Sequence, residues 1–192
     1  MADEGAKGLS HPKVDRYAQV PNGSTSFYFR TRSALLAAVA QRVAELDLVD
    51  LLTVTGPVET DAVFASPDAS RLATMVMLSV AEPRLTRTKA RFELLFQANR
   101  DPALAAIFEH NSALFAELYR REIVGRSRSE PGPELLEQQV AAVMSFVSGV
   151  HLRVLAGDRT IGGAAQLDLL LTGIVNGIAD AGSLRSRRDR VG

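Results

Sequence analysis

The chain has 192 residues, 46% of them hydrophobic, enough for one compact core or for a small module joined to a larger one. Its 22 basic and 22 acidic residues cancel, which excludes a globally basic nucleic-acid binder but not a local basic patch. There is no cysteine, so disulfides and thiolate metal sites are excluded, as suits a reducing compartment.

The acidic, Gly-containing start has no apolar run of the kind a secretion signal needs, so a cytoplasmic location is expected. Residues 1–32 carry Lys7, Lys13, Arg16, Arg30 and Arg32 against Asp3, Glu4 and Asp15, a net of +2. Ser10 to Gln19 reads as a short helix, with Ser10 as a side-chain cap. Residues 20 to 36 read as a second short helix of small polar and aromatic groups, then a basic turn, then the start of a long helix, with Val20 and Phe29 expected in the core of the module. Two short helices joined by a tight turn form a helix-turn-helix, whose second helix has the size to enter the major groove. After Thr31, Leu35, Leu36, Val39, Val43 and Leu46 recur at helical spacing and predict a long amphipathic helix.

Residues 53–65, rich in Thr, Val and Gly, predict a loop or irregular link. Ser66-Pro67 predicts a helix start, followed by a stripe of Leu72, Met75, Val76, Ser79 and Val80 that ends near Pro83. Phe92, Leu95 and Phe96 make another stripe, and Asp101-Pro102 repeats the cap-plus-proline start before Leu104, Ile107, Phe108, Phe115 and Leu118. Ser127 to Pro133 is a polar loop; Pro133 then opens a helix through Val140, Val143, Met144, Val147 and Val154 that stops at Gly157. Gly162-Gly163 precedes a last helix with Leu167, Leu170, Leu171, Ile174, Val175 and Ile178. The most apolar stretch, Val140 to Val150, is shorter than the roughly 20 residues a membrane span requires, so no membrane partner is expected.

The expected fold is therefore all-α. No Cys/His nucleophile pair, metal-spaced His/Asp/Glu cluster or phosphate-binding glycine loop occurs, so no catalytic residue, no metal and no cofactor is assigned.

Gly8-Leu9-Ser10, Val14-Asp15-Arg16, Val20-Pro21-Asn22-Gly23, Phe27-Tyr28-Phe29 and Arg32-Ser33-Ala34-Leu35-Leu36 together resemble the helix-turn-helix of the TetR family of transcriptional regulators. The resemblance covers about residues 8–46. It implies a helix-turn-helix DNA-binding domain over 1–46 with a truncated first helix, a helical ligand-binding and dimerisation domain over 47–182, and a basic disordered tail over 183–192. Three positions depart from the family pattern. Met1 stands seven residues before Gly8, where the family has a full first helix; Gln19 holds the turn position usually given to glycine; and Pro21 holds the cap of the second helix. Gln19 would then need a left-handed backbone.

The implied function is a ligand-responsive DNA-binding repressor that releases its operator on binding a small apolar molecule. The alternative is a dimeric helical module that binds a small molecule or protein but not DNA, because its first helix is incomplete. On the DNA side the resemblance places Asn22, Gly23, Ser24, Ser26, Phe27 and Tyr28, joined by Ser10, His11, Lys13 and Arg32 for phosphate. Ser24 and Ser26 are expected to reach only phosphate or water-bridged partners. An effector pocket is implied around Met75, Phe92, Phe96, Phe108, His110, Phe115 and Met144.

A module this small contacts few bases, so a homodimer on a palindromic double-stranded operator is expected, with half-sites about 34–36 Å apart. Its interface is expected on the last two helices, at Val140, Met144, Val147, His151, Leu171, Ile174 and Ile178, where Ala141, Ala142, Ser145, Ser148, Gly149, Gly173 and Gly177 permit close approach.

Overall fold

The structure, a computed structural model, describes residues 5–55, 69–127 and 130–188. In chain order these form a 3₁₀ turn at Ala6–Gly8, then α1 (His11–Tyr17), α2 (Ser24–Tyr28), α3 (Arg32–Thr55), α4 (Arg71–Ser79), α5 (Arg84–Ala98), α6 (Pro102–Arg126), α7 (Pro133–Leu155) and α8 (Ala164–Arg188). The all-α expectation holds. Among the described residues no helix is long and apolar enough to cross a membrane.

Local chemistry sets most helix ends. The Thr31 hydroxyl accepts from Ala34 N at 3.1 Å and starts α3. Ser70 accepts from Ala73 N at 3.1 Å and starts α4; the start expected at Ser66-Pro67, like most of the link over 53–65, lies outside the described residues, and residues 53–55 belong to α3. Asp101 accepts from Ala103 N at 3.0 Å ahead of Pro102, the cap-plus-proline start read from the sequence. α7 ends where Gly157 turns left-handed at φ 93°, with Asp158 N bonded to Arg153 O at 2.9 Å and Gly157 N to Val154 O at 3.0 Å. α8 runs to Arg188, so residues 183–188, expected in a disordered tail, are helical.

The chain divides into two compact units: residues 1–50 with 81–113, and residues 51–80 with 114–192. The cut within α3 lies between residues 50 and 51, and α5 and the first half of α6 group with the N-terminal residues. Two features hold them there. Leu36, Ala40 and Val43 of α3 form a buried cluster with Leu94 of α5 and Leu104 of α6, and Leu9, Ile107 and Phe108 pack around it. Beside it, buried Asp47 receives Arg91 Nε at 2.7 Å and pairs with Arg87 Nε at 3.2 Å, while Asp50 receives Arg84 Nε at 3.1 Å and Arg87 Nη2.

This ion-pair network corrects the stripe expected on α5. Thr88, Phe92 and Leu94 are buried there, whereas Leu95 and Phe96 are exposed. The arginines that meet α3 take inward positions that apolar periodicity alone assigns elsewhere.

In the second unit α8 packs on α7 and on α4. Leu167, Leu171 and Val175 make the buried stripe of α8, opposite Val140, Val143, Val147 and Val154 of α7 and Leu72, Met75 and Val76 of α4 in the same core. Burial of each such aliphatic side chain contributes about 1.5–3 kcal/mol. Polar ties fix the packing. Gln139 Nε2 donates to Val175 O at 2.9 Å, Ser79 Oγ meets His151 Nε2 at 2.7 Å, and Asp168 takes both Ser70 Oγ and Arg126 Nη1, the latter at 2.8 Å.

Asp47→Ala leaves Arg91 partly buried without its carboxylate and Arg87 with Asp50 alone. The expected loss is about 3–5 kcal/mol in a urea melt, and a loss below about 1 kcal/mol would show that the network is only decorative.

Candidate nucleic-acid interface

α1 opens after Ser10, whose backbone is extended at φ −146° and ψ 152° but whose hydroxyl makes no cap bond. The expected Ser10 side-chain cap is thus absent. Pro12 occupies the first turn and removes one of the two N–H groups such a hydroxyl would accept from. At the other end of α1, Gln19 N bonds Arg16 O at 3.3 Å and Val20 N bonds Asp15 O at 3.0 Å, with Gln19 at φ 55°. This is the six-residue closure that usually calls for glycine, here made by glutamine in the left-handed region. The turn position read from the sequence is correct. Val20, expected in the core, is exposed, and Phe29 is half-buried.

α2 begins later than the sequence suggested. Its cap is Gly23, not Pro21, and the φ of 93° at that position is what demands glycine. The donors at the start of α2 are satisfied from α1. Asp15, only 1% exposed, accepts from Gly23 N at 2.8 Å, from Thr25 N at 2.8 Å and from the Thr25 hydroxyl. The other end of α2 is tied back as well, since His11 Nε2 donates to Phe29 O at 2.5 Å. Arg32 Nη1 donates to Leu9 O at 2.7 Å. In the sequence Asp15 had counted as one negative charge and as part of the Val14-Asp15-Arg16 segment, not as a cap. An Asp–Thr pair ten positions apart, with glycine two before the threonine, is recognisable as a cap only once α1 and α2 are folded against each other.

The exposed surface of this pair is aromatic and basic. Phe27 is 77% and Tyr28 76% exposed, their rings edge-to-face at a centroid distance of 5.2 Å. Tyr17 is 94% exposed. The sequence reading missed it, although helical geometry offered a signal: Tyr17 lies two residues, about 200°, from inward-facing Asp15. Lys13, Arg16, Asn22, Arg30 and Arg32 are exposed too.

The two serines are used locally. Ser24 Oγ donates to Pro21 O at 2.6 Å and Ser26 Oγ to Gly23 O at 2.9 Å. Each therefore offers lone pairs rather than a proton, which suits a base amino group and not a phosphate, itself only an acceptor.

The other expected sites fare differently. Of the seven pocket residues, Phe92, Phe96, Phe108 and His110 lie in the first unit and Met75, Phe115 and Met144 in the second. Phe108 packs on the first unit's core cluster, while Phe96 and His110 are exposed on the surface and leave the pocket set. Of the seven interface residues, Val140, Val147, His151 and Leu171 are buried within a single chain, because α7 and α8 use them to pack on each other and on α4. Met144, Ile174 and Ile178 are half-buried. The outward faces of α7 and α8 instead carry Ala141, Ser145 and Ser148, and Gly173 and Gly177.

The model of the family described as "Tetracyclin repressor-like, C-terminal domain" matches residues 67–177, more than half of the chain. A solved structure, that of a transcriptional regulator from Rhodococcus sp. Rha1, is similar with a TM-score of 0.69 at 18% identity, over 94% of this chain and 90% of that one; at this identity the likeness is one of fold. No curated protein matches the chain.

The hydrogen bonds to Asp15, that of the Thr25 hydroxyl foremost, then Thr25 N, Gly23 N and the nearby His11, hold its carboxyl below the ordinary 3.8 despite the opposing effect of burial. A carboxyl more acidic in the folded than in the unfolded chain stabilises fully above its unfolded value, and that contribution drains away as pH falls toward the folded one. The stability difference between the wild type and Asp15→Asn is therefore expected to be constant from pH 7 to about pH 5 and to shrink below about pH 4. Thermal melts across that range check it, and a difference independent of pH would contradict the cap.

Proposed function

Because the chain belongs to the tetracyclin repressor-like (TetR) family of transcriptional regulators, we propose that it is a cytoplasmic, ligand-responsive repressor that binds a palindromic operator as a homodimer. Regulators of this family bind DNA, dimerise and bind small-molecule effectors. The observation that carries the proposal is the pair α1–α2: a buried carboxylate fixes a five-residue helix whose other face is polar, aromatic and open. The sequence resemblance rests on residues 8–46 and the family match on residues 67–177, so two separate stretches point to one family.

In this reading Asn22 pairs with an adenine edge, the lone pairs of Ser24 and Ser26 accept from base amino groups, and Phe27 meets a thymine methyl. The hydroxyls of Tyr17 and Tyr28, with Lys13 and Arg32, bind phosphates and fix register. His11 serves by holding the end of α2 through the Phe29 carbonyl.

The second copy docks on the outward faces of α7 and α8. A Cβ added at Gly173 or Gly177 meets no atom within 4 Å in a single chain, so intramolecular packing does not require these glycines. Each costs its helix about 0.5–1 kcal/mol relative to alanine, and close approach of a partner helix accounts for them. Ser145 Oγ donates to Ala141 O at 2.7 Å, which satisfies its polarity for burial in such a contact. Exposed Leu152, Leu169 and Leu170 supply apolar area around these small residues.

An apolar effector is held in the second unit near Met75, Phe115 and Met144, and acts through its unequal affinity for the DNA-competent and released states. The role is regulatory, not catalytic.

Selection from a random duplex pool followed by gel-shift titration tests the proposal. A palindromic sequence is expected to emerge, with affinity falling steeply as salt rises. Tyr17→Ala and Tyr28→Ala are expected to weaken all duplexes alike, whereas Asn22→Ala relaxes choice at one base pair by about 1–3 kcal/mol. A pool that stays unselected at low salt would contradict DNA reading and leave a dimer that binds only small molecules or proteins.

A further inference from the structure

A cavity of about 350 Å³ lies in the second unit, where the end of α6, the segment 130–132, α7 and α8 meet. It is formed by none of the Met and Phe side chains assigned to the apolar effector. Its charge is one-sided. The ionisable side chains among its described lining are Glu130 and Asp180, both carboxylates. Ser127 and Ser183 also face it, but Ser127 Oγ donates to Ile123 O at 2.8 Å and Ser183 Oγ to Asp180 O at 2.8 Å, so both turn lone pairs outward.

The most buried lining residue is Gln139, 1% exposed. Its Nε2 donates to Val175 O at 2.9 Å, which fixes the orientation of the amide. Its Oε1 is then a buried acceptor to which no group donates. Such an oxygen costs about 1–3 kcal/mol when left alone, and a ligand that brings a donor removes that cost. Ordinary core packing would place an apolar side chain at this position. Gln139 Oε1, the two carboxylates and the two serine lone pairs are acceptors, and Asn176 in the same lining adds an amide that can both donate and accept.

We propose that this cavity binds a small organic cation bearing N–H donors, an alkylguanidinium or alkylammonium, with Gln139 Oε1 as the buried acceptor and Glu130 and Asp180 as counter-charges. Leu135 and Ala179 supply the apolar surface for its alkyl chain. The site is independent of DNA recognition, and its test contains no DNA, so either reading can fail without the other.

The probe is agmatine, which carries a guanidinium and an ammonium on one short chain, titrated by calorimetry into the full chain at low ionic strength. Saturable binding of one agmatine per chain is expected, weakening as salt rises. Asp180→Asn, a surface change that keeps the fold, and Gln139→Met, close in volume but without the acceptor, are each expected to weaken it about tenfold. Should Gln139→Met fail to fold, Glu130→Gln with Asp180→Asn decides the matter. 1,4-Butanediol, similar in length but uncharged, is expected not to bind. No saturable heat with agmatine, equal affinity in wild type and Asp180→Asn, or equal binding of the diol would overturn the proposal.

Discussion

The carboxylate of Asp15 accepts two backbone N–H groups and one hydroxyl from the first turn of α2, and a helix of five residues has little else to hold it. Isolated helices shorter than about 12–15 residues are marginal in water, so α2 owes its shape to tertiary ties and not to propensity. Asp15 fixes its start and His11, through the Phe29 carbonyl, fixes its end. Both come from α1, so the exposed aromatics of α2 stand on a frame made almost wholly of side chain to backbone bonds. Gly23 completes it, because the bend into Asp15 runs through a left-handed backbone.

The same economy shapes the rest of the first unit. A strictly apolar seam between α3 and α5 would give cohesion without register. Pairing Asp47 and Asp50 with Arg84, Arg87 and Arg91 fixes which turn of α5 meets which turn of α3. Breaking one partner of such a network is more damaging than its net contribution suggests, since an unpaired charge stays behind. The second unit relies on aliphatic packing between α7, α8 and α4, with a few polar ties such as Ser79 to His151. Its small outward residues leave the faces of α7 and α8 open to close approach.

Features set by a few neighbouring residues were legible in the sequence. Asp101-Pro102 and Gly157 mark helix ends because capping is local chemistry, and the apolar spacing of α3, α4, α7 and α8 predicts helices where helices are found. The left-handed turn at Gln19 was also readable from the family pattern. Features set by distant partners were not. The inward face of α5 escaped notice because arginines that meet Asp47 occupy it. The start of α2 was misplaced because its cap comes from eight residues upstream, in α1. The buried faces of α7 and α8 were mistaken for an interface because periodicity identifies an apolar stripe without saying whether the same chain or a second copy covers it. Phe96 and His110 entered the pocket set through the family resemblance and their place on the middle helices, and their exposure removes them.

Amide hydrogen exchange at Gly23 and Thr25, followed by NMR on the full chain with and without the substitution Asp15→Ala, tests most directly whether one carboxylate holds α2. Both amides are expected to be protected in the wild type and to lose about tenfold or more of that protection in the variant, while amides in the middle of α7 keep theirs. Equal protection of Gly23 and Thr25 in the two proteins would contradict the role given to Asp15 and, with it, the basis for treating α2 as a preformed reading surface.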